Sequence, residues 1–345
     1  MAVIQIVGDR PGSGKTSLAG ALLLHRAETG QRAGYCKPLS ETPGQDPDVS
    51  FVSEMLLSGS DGPPVPDPQQ LLTLSDPGPA LGASSAGQIK NAVDQIEAAA
   101  GLVLVESPDL ERPGGGASPL PLELASLLDS RVVLLFRYTH DLDAGAILTA
   151  CQPFGDRLAT IVVNGVTAYR GRDITQTLAA AVRARGGPSL GALPEDRAML
   201  AVTVQQIADL LGGRLVQEAI QTDGPIERFL IGGNIMDLGQ SYFGRYSNQA
   251  VITRAARPDI QMASMLAGTR CLVLTGGTEP TEYVKAEALQ REVPLLLVEG
   301  NTLDTAAALT GLLQQANTHS MRKIQRFLHL IREHLDRDTL TPVAA

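Results

Sequence analysis

The sequence predicts an α/β protein: a P-loop domain with a doubly wound, mostly parallel sheet, then a smaller α/β domain and a C-terminal helix. Short β-branched apolar runs alternate with longer segments of helical spacing, as in βαβ units around a parallel sheet. A glycine-rich turn lies between the first apolar run and the first helical segment. The length of 345 residues exceeds the usual size of one domain and therefore indicates two.

The first part of the chain is expected to form a domain of residues 1–213 in which strands and helices alternate. Strands are predicted at residues 3–7, 33–36, 102–105, 132–136 and 160–163. Helices are predicted at residues 15–28, 86–99, 120–128, 144–151, 175–185 and 197–211. Proline-rich and glycine-rich stretches predict surface loops at 59–79 and 113–121. The Gly-Gly pair at 212–213 predicts the end of the domain.

The second part repeats the alternation on a smaller scale and is expected to form a domain of residues 214–318. Its predicted strands are 250–253, 271–274 and 294–298, and its predicted helices are 259–266, 281–290 and 303–315. The remaining segment, 319–345, is expected to form a helix over 319–335 and a tail. Apolar residues at helical spacing predict this helix, namely Ile324, Phe327, Leu328 and Ile331. We expect it to pack on either domain or on another subunit.

Composition excludes several classes of function. The 37 acidic residues outnumber the 28 basic ones, and the basic residues form no local cluster, so we expect no nucleic-acid partner. Cys36, Cys151 and Cys271 lie far apart, which argues against a disulfide framework and a zinc site and fits a reducing cytoplasm. The first apolar run is too short for a signal or a membrane span, so we expect a cytoplasmic protein without a membrane partner.

The glycine-rich turn at 8–16 reads Gly-Asp-Arg-Pro-Gly-Ser-Gly-Lys-Thr and predicts a loop that binds the phosphates of ATP. Glycines let backbone N–H groups approach phosphates closely, and the following helix adds the positive end of its dipole. Lys15 supplies a charge for the terminal phosphates, and the Thr16 hydroxyl is placed to ligate Mg²⁺. Asp9 stands where the usual pattern has its first glycine. The residues expected to bind the nucleotide are Arg10, Gly12, Ser13, Gly14, Lys15, Thr16, Ser17 and Asn164.

Magnesium needs further oxygen ligands, for which carboxylates at the ends of neighbouring strands are the natural source. Glu106 directly follows the predicted strand 102–105, although it could also be a solvated strand-end carboxylate. Asp46 and Asp48 follow the second strand and could reach the metal or remain ordinary loop carboxylates.

Two polar residues at other strand ends are further candidates. Lys37 precedes Pro38, which fixes the direction of the loop and could aim the amine into the same crevice; the alternative is a surface lysine. Asn164 ends the strand 160–163 and could bond a base edge, or equally its own turn.

Taken together, the motifs at 8–16, 34–38, 103–106 and 163–164 resemble the dethiobiotin synthetase family, which also places its leading glycine one position upstream, as Gly8 is here. The resemblance implies that Lys15 and Thr16 bind phosphate and magnesium and that Lys37 faces the reacting phosphate. Lys15 and Lys37 are thus the expected catalytic residues. It also implies that Asp48 and Glu106 join Thr16 as metal ligands and that Asn164 reads adenine.

The chain departs from that family after Glu106. The family continues with Gly-Ala-Gly-Gly, whose backbone donors face the substrate, whereas this chain continues with Ser107, Pro108 and Asp109. Proline has no N–H to donate, so the synthetase activity is placed in doubt. Arg10 occupies the position where related dimeric ATPases carry a lysine that crosses to the partner's nucleotide; the alternative is a solvated arginine.

Residues 217–309 resemble the DRTGG domain, through the motifs at 257–261 and 274–277, with Ala256 in place of the aspartate. Residues 190–197 resemble the segment that closes the first domain of long phosphotransacetylases, where the same two domains precede the acyltransferase. The chain ends at Ala345, which leaves no room for that domain. The glycines after Thr275 predict either a second ligand site or a tight turn.

Three hypotheses follow. The first is an ATP-binding regulatory or sensor protein that requires magnesium, hydrolyses ATP slowly at most, and binds a second small ligand through its DRTGG-like domain. The second is an ATP-dependent carboxylate-activating ligase of the dethiobiotin or cobyrinic acid a,c-diamide synthetase type. The third is an interaction subunit for a separate acyltransferase. We also expect a homo-oligomer.

Overall fold

A computed structural model describes residues 3–40, 46–57, 67, 69–73, 81–112, 115–217, 224–233, 240–314 and 316–335. The chain divides into two compact units. The first consists of Met1–Glu195 together with Thr318–Ala345, and the second is Asp196–Asn317. The C-terminal segment therefore belongs to the same unit as the N-terminal strand.

The first unit is built on a parallel sheet of seven strands in the order β3-β2-β4-β1-β5-β6-β7. From β1 the chain first adds strands on one side of the sheet and then, from β5 onward, on the other side. Such a point is a topological switch point, and ligands bind there beyond the carboxyl ends of the strands. The strands are β1 (Val3–Gly8), β2 (Gly34–Ser40), β3 (Gln69–Thr73), β4 (Val103–Glu106), β5 (Arg131–Arg137), β6 (Leu158–Val166) and β7 (Leu190–Pro194).

Helices cover both faces of this sheet. Val3 and Val7 share one face of β1 and pack in apolar clusters with the helices α3, α4 and α5. Ile4 and Ile6 are buried on the other face, and α1 contacts β1 and β4. The helices are α1 (Lys15–Glu28), α2 (Pro47–Leu57), α3 (Ala83–Ala100), α4 (Leu120–Leu128), α5 (Ala144–Cys151), α6 (Ala179–Ala184) and, after the second unit, α12 (Met321–His334). The predicted doubly wound architecture is confirmed.

The C-terminal helix α12 packs on α1, and its apolar stripe is buried as its spacing predicts. The helices approach closely because Gly20 has no side chain: a Cβ there would lie 2.7 Å from Cδ1 of Ile324. At the other end of the contact, Arg332 donates to Glu28 at 2.6 Å. The prediction left the partner of this helix open, and the structure places it on the first unit.

The second unit has a five-stranded sheet in the order β8-β12-β11-β10-β9, parallel except for β8. Its two faces carry separate apolar clusters, one with α7 and α11 and the other with α8, α9 and α10. The strands are β8 (Arg214–Leu215), β9 (Arg228–Ile231), β10 (Gln249–Arg254), β11 (Cys271–Thr275) and β12 (Leu295–Val298). The helices are α7 (Val204–Leu211), α8 (Gln240–Phe243), α9 (Pro258–Leu266), α10 (Glu282–Gln290) and α11 (Thr302–Gln314).

The boundary between the units differs from the expected one at residue 213. The structure divides the chain before Asp196, because α7 packs its apolar side chains into the second unit. The expected helix 197–211 is two elements, a 3₁₀ turn at Arg197–Leu200 and α7. Thr203 separates them by capping α7. The Thr203 hydroxyl accepts from the backbone N–H of Gln206 at 3.2 Å, and the side-chain oxygen of Gln206 accepts from the backbone N–H of Thr203 at 2.9 Å.

Other elements were missed or misread. The expected loop 59–79 contains β3, which pairs with β2 at the edge of the sheet. The expected helix 175–185 begins with a π-helical turn at Asp173–Leu178 before α6. The sequence did not predict α2, α8, β7, β8 or β9. Within the described residues, no helix is long and apolar enough to cross a membrane.

If α12 is part of the first unit, Ile324→Ala should destabilise that unit by about 2–5 kcal/mol, the usual cost of emptying a buried aliphatic site. Ile324 is fully buried. Gln325→Ala, on the exposed face of α12, should change stability by less than about 0.5 kcal/mol. Urea unfolding, followed by hydrogen exchange of α1 peptides, measures both. Equal effects of the two substitutions would show that α12 is not docked.

Candidate functional site

The turn between β1 and α1 leaves backbone donors unpaired within the helix. The first bond of α1 runs from the Leu18 N–H to the Gly14 oxygen at 3.0 Å, so the amides that precede Leu18 have no intrahelical partner. Gly12 and Gly14 have φ of 75° and 107°, in the left-handed region that favours glycine. The backbone thus curves so that amides point away from the helix, as an anion-binding turn requires.

Two further features fit a phosphate at this turn. A Cβ at Gly8 would overlap Ser13 Oγ and Asp109 Oδ1, which explains why the leading glycine stands there although Asp9 follows it. The Ser13 side chain is fully buried, and its hydroxyl has no hydrogen-bond partner among the residues that the structure describes. A buried hydroxyl without a partner is costly, and a ligand oxygen at this turn would relieve that cost.

Asn164 supports the turn from β6. Its side-chain amide donates to the Ser13 carbonyl at 2.8 Å, and the residue is 9% exposed. The sequence proposed that Asn164 bonds a base edge or its own turn. In the structure its amide bonds the turn between β1 and α1 from a strand two positions away in the sheet, and the contact with adenine stays a prediction.

Thr16 and Glu106 meet at the carboxyl ends of β1 and β4. The Thr16 hydroxyl donates to Glu106 Oε1 at 2.9 Å, and the Tyr35 hydroxyl donates to Oε2 at 2.7 Å. Burial raises the pKa of Glu106, and the charge of Asp48 raises it further, although Lys37 and Lys15 oppose this. Burial, and then the charge of Glu106, also raises the pKa of Tyr35 well above its usual value, so Tyr35 remains a donor.

Lys37, on the neighbouring strand β2, pairs with two carboxylates at the start of α2. Its ammonium group donates to Asp48 Oδ2 at 2.5 Å and pairs with Asp46 Oδ2 at 2.9 Å. Burial alone would lower the pKa of Lys37, but the charges of Glu106 and Asp48 raise it above its ordinary value. Lys37 is therefore a charged residue of the crevice, not the surface lysine of the alternative reading.

Asp46 and Asp48 play different parts. Asp46 is buried and also accepts from the Ser40 hydroxyl and from the Asp48 N–H, so it organises the start of α2. Burial alone would raise the pKa of Asp48, but a hydrogen bond from His319 and the charge of Lys37 lower it to about 2. Burial alone would also raise the pKa of Asp46, but hydrogen bonds from Ser40 and Lys37 lower it. Asp48 is the more accessible of the two carboxylates.

Asp109 lies at the phosphate turn, where the sequence showed only a departure from the expected glycines. Its carboxylate forms an ion pair with Lys15, and both side chains are largely buried. An acidic side chain therefore occupies the position beside the lysine that a phosphate oxygen would take. Sequence reasoning did not assign a partner to either residue.

Two further nucleotide-site candidates, Arg10 and Ser17, differ in exposure: Arg10 is half exposed, and Ser17 is buried. Arg10 pairs with Asp9 at 2.9 Å, as the solvated alternative predicts. The Ser17 hydroxyl is hydrogen-bonded to Thr318 at 2.8 Å, which leaves its backbone N–H as the group that faces the turn. Thr318 and His319 were missed because they lie about 300 residues from their partners, at separations of 301 and 271.

No three His, Cys, Asp or Glu side chains within the described part of the chain are arranged to hold a metal ion by themselves. A magnesium ion bound beside a nucleotide takes most of its ligands from phosphates and water. Thr16, Glu106 and Asp48 are the residues that would supply the protein's share.

The glycine turn of the second unit is a structural turn. The Gly276 N–H donates to the Gly300 oxygen at 3.1 Å, and the Gly277 N–H donates to the Val298 oxygen at 3.0 Å. Both amides on which a ligand site was predicted are therefore already bonded, which favours the alternative reading.

The fold and the site define a P-loop α/β domain joined to a smaller α/β domain. The chain belongs to the AAA domain family, whose profile matches residues 3–202, and a DRTGG domain follows at residues 206–312. Phosphate acetyltransferase of Pseudomonas putida is 24% identical over 357 residues, which cover 94% of this chain and 49% of that protein. The chain thus spans about half the length of this relative, and the expected relationship to phosphotransacetylases is confirmed.

Solved structures with a similar chain are distant. The nucleotide-binding protein of Archaeoglobus fulgidus in complex with ADP is 17% identical, with 56% of this chain and 82% of that chain covered and a TM-score of 0.37. MinD of Pyrococcus horikoshii, complexed with Mg-ADP, is 14% identical, with 57% and 83% covered and a TM-score of 0.35. The CBS and DRTGG domains of Clostridium perfringens pyrophosphatase are 13% identical, with 45% and 72% covered and a TM-score of 0.29.

The geometry of the turn predicts a difference between two glycines. Gly12→Ala should cost about 1–2 kcal/mol, because only the left-handed backbone opposes it and no atom lies within 4 Å. Gly14→Ala should cost more, because its Cβ would also lie 2.5 Å from Asn164 Nδ2. In a double-mutant cycle, Asn164→Ala should remove this excess. Thermal unfolding measures each variant, and identical costs at the two glycines would contradict the described turn.

Proposed function

We propose that this chain is an MgATP-binding regulatory or sensor protein related to the N-terminal part of phosphotransacetylases, with slow ATP hydrolysis at most. The observation that carries the proposal is the turn before α1, where the first amides of the helix have no intrahelical partner and where, among the described residues, the buried Ser13 hydroxyl has no hydrogen-bond partner. Such a turn stabilises negative charge through fixed donors, a helix dipole and an ammonium group.

The surrounding charges support magnesium as the companion of the nucleotide. Carboxylates outnumber lysines in the ion pairs and hydrogen bonds around the turn, which involve Lys15 and Lys37 on one side and Asp46, Asp48, Glu106 and Asp109 on the other. Burial raises the pKa of Glu106, and the charge of Asp48 raises it further. A divalent cation relieves this excess of negative charge, and when bound it would neutralise charge on the phosphates.

The same surroundings favour binding over rapid chemistry. Pro108 offers no N–H to a substrate, and Asp109 pairs with the lysine that would otherwise stabilise charge on a transferring phosphoryl group. A ligase of the dethiobiotin synthetase type needs backbone donors at this position. A sensor needs only that a phosphate of ATP displace the Asp109 carboxylate from Lys15.

In this proposal the second unit transmits the state of the nucleotide site, either to another small ligand or to an assembly. A homo-oligomer and a complex with a separate acyltransferase are the assemblies that we propose. The relationship to phosphate acetyltransferase motivates the acyltransferase partner. The already bonded amides of Gly276 and Gly277 mean that any second ligand would contact other groups.

Isothermal titration with ATP and Mg²⁺ tests the proposal. The wild type should bind, and Lys15→Ala should weaken binding at least about tenfold, because a charge-assisted bond to phosphate is lost. Lys90→Ala removes an exposed lysine that pairs only on the surface of α3 and should bind as the wild type does. Absence of binding by the wild type, or equal binding by Lys15→Ala, would defeat the proposal.

The same titration tests the competition for Lys15. Asp109→Asn should tighten MgATP binding, by up to about tenfold, because Lys15 no longer has to leave a carboxylate before it meets phosphate. Asp129→Asn is the matched control, since it removes the same charge from an exposed pair with Arg157. Weaker binding by Asp109→Asn would show that the carboxylate assists the ligand instead of competing with it.

A further inference from the structure

Two consecutive residues at the start of the C-terminal segment lie against the nucleotide site. His319 Nε2 is 2.6 Å from Asp48 Oδ1, and the hydroxyls of Thr318 and Ser17 are 2.8 Å apart. Both partners belong to elements that form the site: Ser17 follows Thr16 in α1, and Asp48 lies in the first turn of α2. Neither contact was visible in the sequence.

The Asp48 carboxylate is held at both oxygens. Lys37 donates to Oδ2 at 2.5 Å, and His319 bonds Oδ1. An ionised carboxylate only accepts hydrogen bonds, so Nε2 of His319 is the donor. Each carboxylate oxygen has two lone pairs, and Oδ1 therefore retains one for a metal ion while it accepts from His319.

The imidazole ring is itself fixed. It stacks against Phe51 of α2, with ring centroids 5.4 Å apart and an interplanar angle of 35°. Behind it, α12 is docked on α1 through Ile324 and Gly20. The position of His319 relative to Asp48 is thus determined by a buried helix contact and not by a free chain end.

We propose that His319 is a positioning residue of the nucleotide site: it holds the Asp48 carboxylate in the orientation that ligates the magnesium ion of MgATP. The inference rests on the proposed function. Groups that bond a metal-ligating side chain fix its direction, and their loss typically costs 10–100-fold in metal affinity or activity. The C-terminal segment is therefore part of the site, although the whole second unit lies between it and the phosphate turn in the sequence.

The chain enters this contact directly from the second unit: Asn317 is the last residue of that unit, and Thr318 follows it.

The test measures the affinity for ATP as a function of Mg²⁺ concentration in the full chain. His319→Phe keeps a ring against Phe51 but removes the hydrogen-bond donor to Asp48. It should raise the Mg²⁺ concentration at which the affinity for ATP is half-maximally increased by about tenfold or more. His319→Gln, whose amide nitrogen reaches the position of Nε2, should restore most of the loss. His329→Phe on the exposed face of α12 is the control and should behave as the wild type does.

A second readout separates positioning from folding. ATP affinity in the presence of EDTA and the unfolding midpoint without ligand should be the same for His319→Phe and His319→Gln. If the wild type binds MgATP and His319→Phe shows the same Mg²⁺ dependence, the inference is overturned while the proposed function stands. If the wild type binds no nucleotide while the variants remain folded, the proposed function fails and the inference fails with it.

Discussion

The left-handed backbone at Gly12 and Gly14 is the constraint on which the rest of the site depends. It turns the chain from β1 into α1, where the first amides have no intrahelical partner, and it places Lys15 and Thr16 at the beginning of the helix. Asn164 reinforces this geometry by bonding the Ser13 carbonyl. Substituted residues would resist such a backbone by about 1–2 kcal/mol each, so the sequence must place glycine at both positions.

Around this turn, buried charges are arranged in pairs that compete with a ligand. Burying charges in pairs is costly because desolvation offsets much of their attraction, and breaking a pair leaves one charge uncompensated. Lys15 with Asp109, and Lys37 with Asp48, are such pairs. In the proposed function, a nucleotide with a divalent cation would exchange partners within the set: phosphate would replace Asp109 at Lys15, and the cation would meet Glu106 and Asp48.

Much of the fold and part of this site could be predicted from sequence because both rest on local patterns. The spacing of apolar residues and the presence of residues typical of turns located β1, α1, β4 and α4 to within a few residues. The spacing of the glycines located the turn between β1 and α1. The edge strand β3 was missed because it lies within a stretch dominated by proline and glycine. The boundary at residue 213 was misplaced because the apolar spacing of α7 predicts a helix but not the unit on which that helix packs. Only the tertiary contacts show that α7 belongs to the second unit.

The partners of the site residues could not be predicted, since tertiary packing determines them. Asp109 was recognised as a departure from a family pattern, but its pairing with Lys15 depends on how the chain folds after β4. His319 reaches Asp48 across 271 residues because α12 docks on α1, and no local signal marks such a return.

Hydrogen exchange with and without MgATP tests the central claim most directly, because it reports on the amides themselves. The account predicts slower exchange in peptides that cover residues 9–18, with Mg²⁺-dependent slowing over residues 46–55. Exchange over residues 9–18 that is unchanged at saturating MgATP would contradict it, since amides that hold phosphate cannot exchange as freely as amides that face water.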